Sequence, residues 1–127
     1  MVACGSFENT LGIRTDSPTC DLEGLNLIIS WAASKRPKLT TADIRNAYFQ
    51  GKTLDRLVLL KVPRSGLPDK GVTDDMAMAA RVPVYGLKDS GRNFWKELRE
   101  QSIAAGFKVN KYIKALYTYQ EDGEVKA

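Results

Sequence analysis

The stretch Thr41-Ala42-Asp43-Ile44-Arg45-Asn46-Ala47-Tyr48-Phe49-Gln50-Gly51 decides how the chain is read. Lys38 to Ile44 carries Leu39, Thr40 and Thr41, residues that suit a pleated surface, and predicts a short strand. Arg45 to Gln50 predicts a turn or short helix ending at Gly51, and it brings the aromatic pair Tyr48 and Phe49 shortly after the acid Asp43. A carboxylate at a strand end is fixed by the strand while the next turn opens to solvent. That placement suits a hard divalent cation, which binds through oxygen ligands. An acid that merely terminates a strand fits the same pattern, and periodicity alone favours that reading.

Upstream, Ser17-Pro18 is a plausible helix start, with proline at the first helical position. Leu22, Leu25, Ile29 and Ala32 follow at spacings of one helical face and predict a buried stripe ending near Ser34. Lys35 and Arg36 suit the negative end of the helix dipole, and Pro37 cannot continue the helix. Downstream, Leu57 to Val62 is an apolar run, broken only by Lys61 and closed by Pro63, a pattern expected of a strand covered on both faces. Pro63 to Asp75 reads as a loop, and Met78 to Tyr85 as another strand, with Pro83 at an edge or bulge. Ser90 to Ala105 predicts a second helix with Phe94, Leu98, Ser102 and Ala105 inward. Gly106 and Phe107 then stand where a C-terminal glycine cap and its apolar contact belong. Asp122-Gly123 signals a tight hairpin turn between Ala115–Gln120 and the segment from Val125.

Composition limits the chemistry. The chain has 127 residues, enough for one small core. It contains no histidine, which removes histidine-based acid–base catalysis, serine–histidine and cysteine–histidine nucleophiles, and histidine-ligated zinc. Two cysteines, Cys4 and Cys20, are too few for a disulfide framework or a four-thiolate metal site, so a reducing compartment is the default expectation. No signal peptide is visible, and the apolar runs are far too short to span a bilayer. The formal charge of +4 permits a polyanionic partner without demanding one.

A second cluster is Val84-Tyr85-Gly86-Leu87-Lys88-Asp89-Ser90-Gly91-Arg92-Asn93-Phe94-Trp95. A glycine turn leads Lys88 and Arg92 into a helix N-terminus, where free N–H groups and basic side chains suit phosphate. An ordinary helix capped by Asp89 or Ser90 fits equally well.

Taken in order, these motifs resemble the reverse transcriptase domain of copia-type retrotransposons. The resemblance begins at Val2-Ala3-Cys4-Gly5-Ser6-Phe7 and Ser17-Pro18-Thr19. It continues through Asp43 to Gly51, Leu57 to Pro63 and Tyr85 to Trp95, and ends at Gly106-Phe107 and Ala115-Leu116-Tyr117. It covers nearly the whole chain. It implies an α+β fold, part of a right-hand polymerase palm and fingers: a mainly antiparallel sheet with helices packed on one face. In such enzymes carboxylates hold two metal ions, Mg2+ or Mn2+, for nucleotidyl transfer.

By this resemblance Asp43 is the first catalytic, metal-binding acid, and Ile44 lends its backbone to metal or phosphate contact. Tyr48 is the steric gate that selects deoxynucleotides. Tyr85 and Gly86 contact the nucleotide, and Lys88 and Arg92 contact template or phosphate. The implied partners are an RNA template, a DNA primer, a deoxynucleoside triphosphate and the remainder of the Pol polyprotein. No membrane is implied, and localisation would be cytoplasmic or nuclear.

The departures set further expectations. The family's Asp-Asp hairpin follows the Gly-Phe segment, and no such pair occurs after Tyr85 here. Residues 1–127 are therefore expected to be a partial domain, truncated at both ends. As an isolated chain they should be inactive, because one carboxylate cannot hold two divalent ions together. Val72-Thr73-Asp74-Asp75 imitates the missing motif but falls in the wrong order, inside a Pro/Gly-rich loop. Asp89 replaces a usual Gln, and Gly91 a common Pro. The alternative reading is a non-catalytic nucleic-acid-binding or interaction module derived from a decayed transposon. Its motive is the basic excess flanking the two clusters, and salt-sensitive binding would mark it.

Overall fold

Asp21 starts the first helix in a computed structural model that describes residues 3–9 and 11–126. Val2, at the head of the first motif, lies outside the described residues. Asp21 has extended backbone, and its carboxylate accepts from Gly24 N–H at 2.8 Å, so the cap falls four positions after Ser17. Helix α1 runs Leu22–Lys35 and stops at Arg36, which takes a left-handed φ of 53° ahead of Pro37.

The predicted stripe of α1 is turned outward. Leu22, Leu25 and Ile29 are 71 %, 49 % and 52 % exposed, and of the four only Ala32 is buried. Gly24 explains the rotation. Its bare Cα allows a close approach by Ile113 and Cys20, which a side chain at 24 would block. The helix therefore packs through Gly24, Ile28, Trp31 and Ala32, a face rotated by roughly a quarter turn from the leucine stripe and sharing Ala32 with it.

The expected strand at Lys38–Ile44 does not form. These residues have no ladder partner, and all seven are exposed. β propensity describes fit to a half-buried pleated surface, and no neighbouring strand provides one here. Strand β1 (Val58–Lys61) pairs antiparallel with β2 (Ala77–Ala80), in register from Val58↔Ala80 to Lys61↔Ala77. Val58 and Val62 are buried while Leu57 and Leu59 are exposed, so the apolar run is covered on one face and not both. Strand β2 ends well short of Tyr85. Pro83, fully buried, has no N–H to continue a ladder.

Helix α2 spans Ser90–Ala104. Gly106 takes φ 90°, and the Gly106 and Phe107 amides donate to Ile103 and Ser102 carbonyls at 3.0 Å, which is the C-terminal cap expected from sequence. Two short antiparallel pairs follow. Strand β3 (Lys108–Val109) pairs with β4 (Tyr117–Thr118), and β5 (Gln120–Glu121) pairs with β6 (Glu124–Val125). Asp122 and Gly123 both have positive φ, as a type I′ hairpin turn requires.

The class is α+β, as expected, and the strands are antiparallel. The single sheet with helices on one face is corrected to three separate two-stranded pairs among the described residues. With residues 38–44 outside any ladder, no central strand joins them. The core is small: Val58, Val84 and Leu87, with Ala3, Leu54, Leu60 and Ala80 packed around them.

Candidate functional site

The two sequence clusters meet through their aromatic rings. Asn46 enters a left-handed conformation (φ 54°) and turns the chain into a 3-10 turn at Ala47–Gln50. Gly51 N–H closes it onto the Tyr48 carbonyl at 3.0 Å. Tyr48 then lies 4.6 Å from Tyr85, ring centroid to centroid, and 6.4 Å from Phe94 on α2. Phe49 approaches Tyr85 edge-on at 5.8 Å. Such separations suit tilted and edge-to-face aromatic packing. Tyr85 and Phe49 remain 37 % and 41 % exposed, so one side of the cluster is open to solvent.

The turn that carries Tyr85 is fixed from several directions. Leu87 N–H reaches Val84 O at 3.3 Å, and Gly86 takes φ 99°. A side chain on Gly86 would also overlap the Ala3 carbonyl, so glycine is required twice over. Ala3 N–H donates to Tyr85 O at 2.7 Å, and the buried Ser90 hydroxyl donates to Val84 O at 2.7 Å.

Asp43 and Ile44 lie on the exposed, unpaired segment before the 3-10 turn. Asp43 makes no hydrogen bond or ion pair among the described residues, and no group of three or more His, Cys, Asp or Glu side chains placed to hold a metal occurs among them. A magnesium or manganese pair needs several carboxylates around it, so the donor set here does not fit that centre. Asp74 and Asp75 are exposed in the loop, where Asp75 accepts from the Thr73 hydroxyl.

The basic candidates divide. Lys88 is exposed, and its ammonium has no partner among the described residues, while its backbone N–H donates to Glu8 Oε2 at 2.9 Å. Arg92 is committed elsewhere. It donates to the Asp16 carboxylate at 2.7 Å and lies over the Trp95 ring at 5.9 Å. Asp16 is shared with Arg14, whose hydrogen bond, with the charge of Arg92, holds its carboxyl below the ordinary range.

Asp89 is the largest departure from expectation. It stands at the N-cap of α2 but makes no capping bond. The residue is 5 % exposed, and its carboxylate accepts from Arg56 Nε at 3.1 Å and Nη2 at 2.9 Å. Arg56 also bonds Glu8. The hydrogen bonds it donates to Asp89, first, and to Glu8 push the guanidinium above its ordinary pKa. Neither Glu8 nor Arg56 stood out in the sequence, because nothing local marks a pair so far apart in the chain.

Known proteins offer one informative likeness. Over 94 residues the chain is 28 % identical to the retrovirus-related Pol polyprotein from transposon RE2 of Arabidopsis thaliana. That alignment covers 74 % of this chain and 6 % of the relative, so the chain spans only a small part of that polyprotein. The similarity is distant and relates the chain to a transposon Pol polyprotein. No family model matches, and no solved structure matches. Among the described residues, no helix is long and apolar enough to cross a membrane.

Proposed function

We propose that the chain is part of the reverse transcriptase domain of a copia-type Pol polyprotein, and that the Tyr48–Tyr85 cluster is a surface for a nucleotide base and sugar. The observation that carries this reading is the 4.6 Å approach of Tyr48 to Tyr85. It joins the two motifs that the family resemblance assigns to one site, and it leaves Phe49 and Tyr85 open beside them. An aromatic surface of this kind stacks bases of any sequence. Lys88, exposed on the same turn, supplies a cation for phosphate. Asp43 contributes one hard oxygen ligand toward a divalent ion, and the partner acids belong elsewhere in the polyprotein. The isolated chain therefore binds and orients nucleic acid without synthesising it.

A second reading, a non-catalytic binding module, is favoured by the lack of a metal-ligand cluster among the described residues together with the formal charge of +4. Titration of a labelled primer–template duplex, followed by fluorescence polarisation, tests what both share. Affinity should fall by roughly tenfold or more between about 50 and 200 mM salt. Binding that is absent, or indifferent to salt, contradicts both. Primer extension by residues 1–127 with magnesium would contradict the statement that the chain alone is inactive.

A further inference from the structure

We infer that Glu8 is a positioning residue for the aromatic site: its carboxylate clasps Arg56 and the backbone of Lys88 together, and so sets how Tyr85 lies against Tyr48. The inference rests on the reading of that cluster as a nucleotide surface. Glu8 uses both oxygens. Oε1 accepts from Arg56, and Oε2 accepts from Lys88 N–H at 2.9 Å. Arg56 also donates, through Nε and the same Nη2, to Asp89, immediately before α2. One half-buried carboxylate therefore ties together the N-terminal segment, the entry to β1, the Tyr85–Lys88 turn and the start of α2.

The clasp acts on the turn specifically. Ala3, in the same N-terminal segment, holds the Tyr85 carbonyl, and Gly86 packs directly beneath the Ala3 carbonyl. Glu8 secures the far end of that turn at Lys88. Without it, the Lys88 end of the turn loses its tether and can shift, while Ala3, the Gly5 packing and the buried Val84 and Leu87 still hold the rest. The rings of Tyr48 and Tyr85 sit on separate pieces of chain, so such a shift changes their separation directly. A carboxylate held by charge-assisted bonds on both oxygens is stiffer than a neutral contact would be.

The test uses the full chain with ring-labelled tyrosine. In the wild type, nuclear Overhauser contacts should link the Tyr48 and Tyr85 rings, and the Lys88 amide should be protected from exchange. Glu8→Ala should remove the ring contact and speed Lys88 exchange on the order of tenfold, the effect of losing one charge-assisted hydrogen bond. Should that variant not fold, Glu8→Asp is one methylene too short to span both partners and should give the same result. Glu8→Gln keeps an acceptor toward Lys88 and should retain the ring contact. Rings and exchange left unchanged in Glu8→Ala or Glu8→Asp overturn the inference, as does Glu8→Gln behaving like Glu8→Ala. Where the wild type binds a single-stranded oligonucleotide, Glu8→Ala should bind about tenfold more weakly. A wild type that does not bind defeats the proposed function and leaves the ring contacts to decide the clasp.

Discussion

Replacing Asp89 with alanine should destabilise the fold by about 2 kcal/mol. Asp89 is 5 % exposed, and its carboxylate receives two bonds from Arg56, at 2.9 and 3.1 Å. Removing one partner of a buried ion pair costs about 3–5 kcal/mol, because the other charge is left without compensation. Two features reduce that figure. The Arg56 side chain is 22 % exposed, so water reaches it, and Glu8 remains bound to it. At about 3–4 °C per kcal/mol for a chain of this length, Tm should fall by about 7 °C. Asp89→Asn, whose amide oxygen still accepts one bond, should lose roughly half as much. Thermal and urea unfolding followed by far-ultraviolet circular dichroism measures both. An Asp89→Ala chain within about 0.5 kcal/mol of wild type, the range of an ordinary surface substitution, would refute the argument that this pair holds α2 to the chain entering β1.

Gly86→Ala should cost about 2–3 kcal/mol, because it adds left-handed strain to an overlap with the Ala3 carbonyl. Gly71→Ala, with positive φ but open space around it, should cost about 1 kcal/mol in the same unfolding assay, and equal losses would contradict the packing argument. Tyr117→Phe should stabilise by about 1 kcal/mol, since the Tyr117 hydroxyl is buried without a hydrogen-bond partner among the described residues. Burial also pushes Tyr117 above its ordinary pKa, against the opposing charge of Arg99. The folded chain thus holds that proton more tightly than the unfolded chain. Its contribution is full below about pH 10 and is lost as pH rises through the raised value. Urea denaturation at rising alkaline pH should show that loss in wild type and not in Tyr117→Phe.

What could be read from the sequence was local. The Gly106 cap of α2, the Asp122-Gly123 turn and the short helical turn before Gly51 depend on a few adjacent residues, and each formed where its signal stood. Lys38–Ile44 shows the opposite case. A strand needs a neighbour, and its own β-prone residues cannot supply one. Helix α1 has apolar residues on more than one side, so its periodicity could not say that Gly24, and not Leu25, would face inward. For the candidate site, the resemblance assigned Tyr48 and Tyr85 separate roles beside a nucleotide and gave no contact between their rings, and Asp43 stands without companions among the described residues. The clasp was invisible because Arg56 is 48 residues from Glu8 and 33 from Asp89, and neither partner lies in a repeating pattern. The partner of Arg92 was hidden in the same way. The arginine's position suits phosphate, but an acid from a distant loop, Asp16, takes it up.

The most direct test titrates a fluorescent single-stranded oligonucleotide against wild type, Tyr85→Ala and Tyr112→Ala at one fixed salt concentration. Tyr112 is 92 % exposed and has no ring partner among the described residues, so it serves as the aromatic control. Loss of one base–aromatic stack is worth about 1–3 kcal/mol, so Tyr85→Ala should bind roughly tenfold more weakly while Tyr112→Ala matches wild type. Equal affinities in all three chains would mean that the paired rings of Tyr48 and Tyr85 are packing alone and do not form a nucleotide surface.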